Sequence, residues 1–374
     1  MKRPCIYFKG DRPCKQYWEH RVHDCNNCHK YEPVGKRILL IKLDAIGDVI
    51  RTTPLVEALK KKYPGCHITW LVKDISRPLI ENHPNIDRLL TYNFESVLRL
   101  EAEEFDLLLN LDKAPVTAAL ANKIKAKEKK GYFLDSFGNI QPFDKDAEYH
   151  HAMCMDNWGE KRTNSRHFVQ MMFELCGLEF NGEEYLLSYA DDKAFIDSFK
   201  KANGIKSQPL IGLVTGCGNV YPQKKWTQEG YVKLSKEIIQ KMNAKVLLFG
   251  SNDEAERNRE IFNSLTEEEK KNVIDMSGKT SIVQFSQLIS ICNAIVTGDT
   301  SGMHMAIAKK VPIVAMFGPT PSQEIYLYNR GISITPDMKC LNCYNQFKCK
   351  ESPNCMELIK EDEVFSALQK VLQK

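Results

Sequence analysis

The 374-residue sequence lacks the features that mark several large classes of protein. It contains no run of about 18 apolar residues, the length that a helix needs to cross a membrane. Its formal net charge at pH 7 is only +4, which gives no electrostatic case for nucleic acid as the main ligand. No motif that combines aromatic and basic residues for RNA binding is present either. The sequence therefore predicts a protein without membrane-spanning helices whose main ligand is not a nucleic acid.

The beginning of the chain also lacks the pattern of a secretory signal. Residues 1–12 are polar and include Cys5, whereas a signal peptide has a continuous apolar stretch of about 7–15 residues. We therefore expect a cytoplasmic protein. Two basic runs, 60–62 and 123–130, could meet an anionic partner or a membrane surface, but solvated helix faces and loops are the simpler interpretation.

The apolar pattern alternates between strands and helices over most of the chain. Short runs rich in Ile, Leu and Val predict strands, and apolar positions at helical spacing predict the helices between them. The predicted strands are 37–42, 67–72, 105–111, 210–215, 245–249, 294–297 and one that begins at Val311. The predicted helices are 49–62, 116–127, 228–242 and 283–292. Strands separated by helices of this length indicate parallel βαβ units, so the predicted fold class is α/β.

The length of the chain and its 43% hydrophobic content are enough for two cores, and a single doubly wound sheet of this size would be unusual. Polar residues displace the regular pattern between Gly182 and Pro209, where we expect the break between domains. The predicted units are a cysteine-rich extension at 1–35, a first α/β domain at 36–190, a second at 191–338, and a cysteine cluster with a C-terminal helix at 339–374.

A turn of small residues follows the predicted strand 294–297. The sequence Gly298-Asp299-Thr300-Ser301-Gly302-Met303-His304 leads from this strand into a helix. Backbone N–H groups at the start of such a helix are unpaired and, together with the helix dipole, favour a phosphate. Asp299, Thr300 and His304 add a carboxylate, a hydroxyl and an imidazole that an ordinary turn does not need. The segment predicts a site for a phosphorylated ligand that carries hydroxyl groups.

A similar arrangement occurs near the other end of the chain. The strand 37–42 is followed by Asp44-Ala45-Ile46-Gly47-Asp48 and then by the first predicted helix. A carboxylate that follows a glycine at such a turn can stand free over a cleft near a helix N-terminus. From the residues alone, a helix-capping role for Asp48 is the simpler interpretation.

Together these motifs resemble those of the bacterial heptosyltransferase family, glycosyltransferase family 9. The resemblance covers most of the chain from Arg37 to about Thr335 and rests on Ile38-Leu39-Leu40-Ile41-Lys42, Gly47-Asp48-Val49, Thr53-Pro54, Asp299-Thr300 with His304, and Phe317-Gly318-Pro319-Thr320. It implies a GT-B fold, in which two Rossmann-like domains with parallel sheets face a central cleft. The first domain would bind the acceptor, and the second would bind a nucleotide-activated heptose, usually ADP-L-glycero-β-D-manno-heptose.

The resemblance also implies roles for single residues. Asp48 matches the catalytic aspartate of the family, a general base that would take the proton from the acceptor hydroxyl during inverting transfer. Lys224 matches a lysine that stabilises the departing diphosphate, with the neighbouring Lys225 as the alternative. The other predicted donor-binding residues are Thr215, Gly216, Gly218, Glu254, Thr280, Ser281, Asp299, Thr300, Ser301, Gly302 and His304.

Several of these residues have an ordinary structural alternative. Glu254 either accepts hydrogen bonds from the nucleotide ribose or belongs to an acidic first helical turn. Ser281 either lies near the base or caps a helix. His304, without the family pattern, would be a satisfied helix histidine. Ser301 stands where the family commonly has glycine, a difference that could tighten the turn or add a phosphate contact.

The 13 cysteines include two groups that could hold a metal ion. The N-terminal group contains Cys5, Cys14, Cys25 and Cys28. The C-terminal group, which is more closely spaced, contains Cys340, Cys343, Cys349 and Cys355. Each has a Cys-x-x-Cys pair, the spacing at which two thiolates meet one tetrahedral metal. In a cytoplasmic protein a structural zinc or iron ion is preferred to disulfides, with free thiols as the alternative. Catalysis itself should need no cofactor, because no Asp-x-Asp motif lies where it could hold a divalent cation on the sugar nucleotide.

The sequence thus predicts an inverting, metal-independent glycosyltransferase that moves heptose from ADP-heptose to a hydroxyl of a lipopolysaccharide core or of another glycan or a protein. A lipid-linked acceptor would bring peripheral contact with the inner membrane. Two other functions stay open, a GT-B transferase that uses a UDP- or GDP-sugar and a nucleotide-binding family member without catalytic activity. Candidate acceptor contacts, with a surface loop as the alternative, are His150, His151, Trp158, Arg162, Arg166 and His167.

Overall fold

The computed structural model describes residues 5–8, 10, 12–21, 24–155, 163–344 and 349–373. In this part of the chain two six-stranded sheets are packed against helices. The central strands are continuous apolar runs whose successive side chains are buried on opposite faces, as at Leu39 and Leu40. Such runs are typical of parallel strands that are covered on both sides. The α/β fold class is confirmed.

The first sheet has the strand order β3-β2-β1-β4-β5-β6. Neighbouring strands are parallel, except that β5 and β6 are antiparallel. The strands are β1 (Arg37–Ile41), β2 (His67–Val72), β3 (Arg88–Thr91), β4 (Glu104–Asn110), β5 (Lys125–Leu134) and β6 (Ile140–Pro142).

The second sheet has the order β12-β11-β10-β7-β8-β9, and all of its neighbouring strands are parallel. Its strands are β7 (Leu210–Val214), β8 (Lys245–Phe249), β9 (Val273–Asp275), β10 (Ala294–Gly298), β11 (Ile313–Met316) and β12 (Gly331–Ile334). The apolar pattern does not predict β3, β6, β9 or β12, because runs of three or four residues carry too little periodicity.

Helices connect the strands of both sheets. In the first half of the chain they are α1 (Lys15–His20), α2 (Ile46–Ile50), α3 (Pro54–Lys62), α4 (Phe94–Ala102), α5 (Pro115–Lys123), α6 (Lys145–Met155), α7 (Phe168–Leu175) and α8 (Lys193–Ala202). In the second half they are α9 (Gln228–Met242), α10 (Ala255–Asn263), α11 (Glu267–Lys270), α12 (Ile282–Ser290), α13 (Ser301–Ala308), α14 (Cys355–Leu358) and α15 (Glu361–Leu372). None of the helices in the described ranges is long and apolar enough to cross a membrane.

The helix predicted at 49–62 is two helices, α2 and α3. Pro54 has no N–H group to donate to the carbonyl of Ile50, so the helical hydrogen-bond pattern is interrupted there. The Thr53 hydroxyl donates to that carbonyl instead, at 2.7 Å. Because of the interruption, the residues around Asp48 form a short separate helix at the end of β1.

The helix predicted at 116–127 ends at Lys123, and the basic run that follows enters β5. Here the interpretation of 123–130 as helix faces and loops is wrong. The backbone of this run pairs with β4, from Lys125 opposite Glu104 to Gly131 opposite Asn110. Strand pairing uses main-chain groups only, so a lysine-rich sequence can join a sheet while its side chains stay near solvent.

The segment that joins the two sheets is bonded to both domains. The Leu186 N–H donates to the Thr53 hydroxyl at 2.9 Å. On the other side, the guanidinium of Arg330 forms a double ion pair with Glu184, at 2.8 and 2.6 Å. The connection between the two sheets is therefore held by contacts with both domains. The predicted limits of the domains stay a prediction.

Candidate active site

The candidate site lies where α2 of the first domain packs against α13 of the second. Gly47 is in contact with the ring of His304: a Cβ atom on Gly47 would lie 2.5 Å from Cδ2 of His304. Only glycine allows this approach without a shift of the helices. The contact brings together Asp48 and His304, which are 256 positions apart in the sequence.

Asp48 is held by two cations of its own domain. Lys42 Nζ lies 3.2 Å from Asp48 Oδ2, and Arg51 Nη2 lies 2.8 Å from Oδ1. Burial alone would raise the pKa of Asp48, but Arg51 and Lys42 outweigh it and hold that pKa well below its usual range. The carboxylate is therefore ionised at any physiological pH.

Lys42 bridges Asp48 to a second buried carboxylate. Its Nζ lies 2.5 Å from Asp112 Oδ1, and it also donates to the carbonyl of Asp44. Asp112 Oδ2 accepts the Leu43 N–H at 2.5 Å. Lys42 and Asp112 are each only 4% exposed. Burial lowers the pKa of Lys42, but Asp48 and Asp112 outweigh this effect, so the pKa is raised and the lysine stays charged.

Arg51 and Asp112 were not among the site residues predicted from the sequence, and Lys42 was named only as part of a motif. A charged residue at the end of an otherwise buried strand was the available signal for Lys42. The guanidinium carbon of Arg51 lies 3.2 Å from the ring centroid of Phe168, the first residue of α7. Arg51 is thus fixed between an aromatic face and the carboxylate of Asp48.

The second domain contributes a lysine, a carboxylate and the start of α13. Lys224 Nζ lies 3.3 Å from Asp299 Oδ2. Burial would raise the pKa of Asp299, but Lys224, His304 and Arg51 hold it below its usual value. Thr300 is the N-cap residue of α13, and its side chain makes no capping hydrogen bond to the helix. The hydroxyl lies 3.2 Å from that of Thr297 instead.

Ser301 and Gly302 form the first turn of α13. A Cβ atom on Gly302 would lie 3.1 Å from side-chain atoms of both Phe285 and Val214, so the glycine allows close packing of the helix on the sheet. Ser301 is half-buried. Its role as a donor-binding residue stays a prediction, as does that of Gly302.

The loop after β7 is organised around Glu254. The Glu254 carboxylate accepts hydrogen bonds from Ser251 N at 2.9 Å and from Gly218 N at 3.1 Å, and it completes a capping box with Ser251. A Cβ atom on Gly216 would collide with the Glu254 side chain. The ordinary alternative, a carboxylate in a first helical turn, thus describes the contacts of Glu254. A role in ribose binding stays a prediction.

Thr215 and Ser281 also make structural hydrogen bonds. The buried hydroxyl of Thr215 donates to the Phe249 carbonyl at 3.2 Å and bonds to Asn258. Ser281 is the N-cap residue of α12 and forms a capping box with Gln284. Thr280 is half-buried beside it. Donor contacts of these residues stay predictions.

Glu324, which sequence analysis did not single out, lies near the same cleft. The hydroxyl of Tyr344 donates to Glu324 Oε1 at 2.7 Å. Burial raises the pKa of Glu324, while Tyr344 and Arg51 act in the opposite direction. The carboxyl group therefore lies within the electrostatic reach of Arg51, and it belongs to the second domain.

Of the candidate acceptor residues, His150 and His151 lie in α6, and Arg166 and His167 lie in the non-helical segment just before α7. His150 lies buried in α6, where Nδ1 is 2.6 Å from the Tyr132 hydroxyl and Nε2 is 3.3 Å from Lys113 Nζ. Trp158 and Arg162 lie outside the described residues. Arg166 forms an ion pair with Glu174 at 2.8 Å. The surface-loop alternative does not apply to His150, because the residue is buried and lies in α6.

The proposed metal-binding roles of the two cysteine groups stay predictions. No set of three or more His, Cys, Asp or Glu side chains in the described part of the chain is arranged so that it could hold a metal ion. All of Cys5, Cys14, Cys25, Cys28, Cys340, Cys343, Cys349 and Cys355 are free thiols. Cys340, Cys343 and Cys349 lie close enough to Cys355 to raise its pKa, so the C-terminal thiols are grouped in space, and a structural zinc or iron ion there stays a prediction.

His304 makes the stability of the protein depend on pH. Burial and the nearby Arg51 lower its pKa from 6.5 to about 4, although Asp299 and Asp48 oppose them. Between these values the unfolded chain binds a proton that the folded chain does not. The free energy of unfolding should therefore fall as the pH decreases, by about 2 kcal/mol between pH 7 and pH 5 from this residue.

Denaturant unfolding at pH 7 and pH 5 measures this effect. In His304→Gln the loss of stability between the two pH values should be smaller than in the unmodified protein by about that amount. His20→Gln, which changes an exposed histidine, should leave the loss unchanged. If the unmodified protein and His304→Gln lost the same stability between pH 7 and pH 5, the assignment of this loss to His304 would be contradicted.

Comparison with known proteins places these residues in a family context. The model of glycosyltransferase family 9 (heptosyltransferase) matches residues 96–356. The chain is 28% identical over 320 residues to lipooligosaccharide heptosyltransferase 2 of Haemophilus ducreyi, an alignment that covers 80% of the chain and 88% of the relative.

Two solved structures have the same architecture. A glycosyl transferase family 9 protein from Veillonella parvula superposes with a TM-score of 0.70 at 22% identity, covering 91% of this chain and 98% of that one. The ADP-heptose lps heptosyltransferase II of Escherichia coli superposes with a TM-score of 0.67 at 20% identity, covering 90% and 98%. The predicted GT-B fold is confirmed.

Proposed function

The chain belongs to glycosyltransferase family 9, and from this premise we propose that it transfers heptose from ADP-heptose to a hydroxyl group of a lipopolysaccharide core or of another glycan or a protein. One observation carries the proposal: His304 of the second domain lies within electrostatic reach both of Asp48 of the first domain and of the Lys224–Asp299 ion pair of the second. A base and a phosphate-binding group are needed on opposite sides of a reacting sugar, and this arrangement supplies both.

Asp48 is proposed as the general base. The acceptor hydroxyl oxygen forms a bond to the anomeric carbon while its proton passes to Asp48, and the bond from that carbon to the diphosphate breaks on the opposite face. ADP leaves with the electron pair, and the configuration at the anomeric carbon is inverted. The hydroxyl becomes strongly acidic only as its new bond forms, so a carboxylate of low pKa is a sufficient base.

Lys42 and Arg51 would act through Asp48. Their ion pairs with its two oxygens, at 3.2 and 2.8 Å, fix the plane of the carboxylate. They also keep it ionised before the acceptor arrives. The cations therefore position the base, and Asp112 holds Lys42 in turn.

The departing diphosphate would be stabilised by Lys224 and by the N–H groups at the start of α13. Lys224 is largely buried and faces Asp299 at 3.3 Å, whereas Lys225 faces Glu254 at 3.9 Å. The side chain directed to the cleft supports Lys224 in preference to Lys225. Positive charge in such a water-poor site stabilises the transition state more than it would in water.

His304 would contact the donor as a neutral group. Its Nδ1 atom is buried, and no described residue gives it a hydrogen-bond partner. An unpaired buried nitrogen costs free energy, which a hydroxyl of the bound sugar would recover. Because the His304 ring contacts Gly47, a sugar bound to His304 would lie close to Asp48.

Calorimetric titration with ADP, UDP and GDP tests the donor. We expect ADP to bind most tightly, and we expect Lys224→Ala to weaken ADP binding about tenfold because a charge-assisted hydrogen bond is lost. Lys225→Ala is the matched control and should change the affinity for ADP less than about twofold. Preference for UDP or GDP would favour a transferase for another sugar nucleotide. Binding of ADP without any turnover of ADP-heptose would favour a family member without catalytic activity.

A further inference from the structure

The C-terminal cysteine group lies on the second domain, outside the groups proposed to react. Cys355 is the first residue of α14 and is only 8% exposed. Burial raises the pKa of its thiol, and the other three thiols of the group raise it further. Burial also raises the pKa of Cys340, and Cys343 and Cys349 act in the same direction. The four thiols therefore lie within electrostatic reach of one another.

Backbone contacts bring the two ends of the group to one glycine, Gly318. A Cβ atom on Gly318 would lie 2.5 Å from Cys355 Sγ, so a larger residue would displace this thiol. The carbonyl of Gly318 accepts the N–H of Asn342 at 3.0 Å, and Asn342 lies within the Cys340-x-x-Cys343 turn. Asn342 has a left-handed backbone, with φ 62°, as asparagine often does in tight turns. Gly318 is therefore in contact both with Cys355 and with the turn that carries the first two cysteines.

The chemistry of four grouped thiols favours a metal ion. Sets of cysteine ligands bind zinc or iron in tetrahedral geometry, and the Cys-x-x-Cys spacing allows two thiolates to meet one ion. As they stand, the described side chains do not converge on one point. Rotation between staggered rotamers moves a cysteine Sγ atom without a shift of the backbone. A bound cation would also offset the burial and mutual repulsion that disfavour the thiolates.

The segment that carries the group also reaches the candidate active site. Tyr344 directly follows Cys343, and its N–H donates to the Pro319 carbonyl at 2.8 Å. Its hydroxyl donates to Glu324 Oε1 at 2.7 Å. Glu324 in turn lies within the electrostatic reach of Arg51, which holds the proposed base. A fixed position of the cysteine turn therefore fixes a hydrogen bond at the edge of the cleft.

We propose that the C-terminal cysteine group binds one thiophilic metal ion, zinc or iron, and that this ion holds Tyr344 against Glu324. The ligands are Cys340, Cys343, Cys349 and Cys355. A closed site with four protein ligands has no open position for a substrate, so the ion takes no part in bond making or breaking. Tyr344 is a positioning residue. The metal site stands apart from the proposed function, and only its effect on catalysis rests on the proposed glycosyl transfer.

Elemental analysis of the full chain tests the metal site. Cys25→Ser and Cys28→Ser are present in every sample, so that the N-terminal group does not contribute. In this background we expect about one ion of zinc or iron per chain, and Cys343→Ser with Cys349→Ser should remove it. Cys217→Ser, which changes a thiol whose contacts lie in its own loop, is the matched control and should retain the ion. Equal metal content with and without the two C-terminal substitutions would overturn the proposal.

Cobalt(II) titration of the same background, after treatment with a chelator, does not depend on the folding of the C-terminal variants. Bound cobalt shows sulfur-to-metal charge transfer that increases with the number of thiolate ligands. We expect the spectrum of a tetrahedral site with four thiolates. A spectrum that indicates fewer than three thiolates, or a disulfide within the C-terminal group, would contradict the proposed site.

Tyr344→Phe tests the effect of the ion on the cleft. It removes the hydroxyl that donates to Glu324 and should leave the metal content unchanged. Transfer, measured as ADP release in the presence of acceptor, should fall about tenfold because a hydrogen bond to a carboxyl group is lost. Chelation should lower transfer by a similar factor in the otherwise unmodified background but much less in Tyr344→Phe, since both changes act on one contact.

If chelation lowered transfer by the same factor with and without the Tyr344 hydroxyl, the positioning role of the ion would be refuted. ADP affinity, measured by calorimetry on the same samples, should change less than about twofold, which shows that the second domain stays folded. The proposed transfer fails separately, by absence of ADP-heptose turnover in the unmodified protein. Metal content and the cobalt spectrum are measured without any turnover.

Discussion

Asp48→Asn should reduce glycosyl transfer by about 10³-fold while ADP binding is retained. The amide has the same shape as the carboxylate but cannot take a proton from the acceptor. ADP would be bound by the second domain, through Lys224 and α13, so its affinity should change little. Transfer is measured as ADP release in the presence of acceptor, and ADP affinity by calorimetry.

Asp44→Asn is the matched control, because Asp44 lies in the same loop but is exposed and pairs with Lys73. It should retain transfer within about threefold of the unmodified protein, as expected for an exposed ion pair of at most about 1 kcal/mol. If Asp48→Asn kept most of its activity, another group would have to accept the proton, and the neutral imidazole of His304 would be the next candidate.

Asp112→Ala should lower the free energy of unfolding by about 3–5 kcal/mol, because it leaves the buried Lys42 with one carboxylate fewer. Lys42 is almost fully buried, and its 2.5 Å contact with Asp112 is shorter than its 3.2 Å contact with Asp48. The variant also removes the acceptor of the Leu43 N–H. Denaturant unfolding measures the loss, and transfer should fall with it because Lys42 no longer holds Asp48 in place.

Glu57→Ala is the control for this prediction. Glu57 pairs with Lys61 on the surface at 2.8 Å, and exposed pairs contribute at most about 1 kcal/mol. A loss as small in Asp112→Ala as in Glu57→Ala would show that Lys42 finds another partner or reaches water. The double variant Lys42→Met with Asp112→Leu should recover stability but not activity, since it removes the buried charges and also the support of Asp48.

Much of the architecture was predictable because it depends on local pattern. The strands at β1, β2, β4, β7, β8 and β10 are buried apolar runs, and they agree with prediction to within one or two residues at their ends. The basic strand β5 was not predictable in this way, because its pairing with β4 uses the backbone and leaves no apolar signal. The break between α2 and α3 could have been inferred from Pro54.

In the candidate site, too, the sequence identified some residues and missed others. Asp299 and His304 stood out because a carboxylate, a hydroxyl and an imidazole follow a strand at a turn of small residues, whereas Asp48 stood out only through the resemblance to the family. Arg51 and Asp112 did not, since an arginine in a helix and an aspartate after a strand are ordinary until their partners are known. Sequence likewise could not tell that the Glu254 carboxylate is used within its own loop.

The main buried strands, the α/β fold class and the resemblance to the family followed from the residues alone, because apolar periodicity and short motifs are properties of neighbouring positions. The Lys42–Asp112 ion pair and the contact of Gly47 with His304 did not. Each joins residues that are far apart in the chain: the first depends on the pairing of β1 with β4, and the second depends on the packing of α2 against α13. The pairs of Asp48 with Lys42 and Arg51 join nearby residues, but they depend on side-chain geometry that a residue pattern does not show.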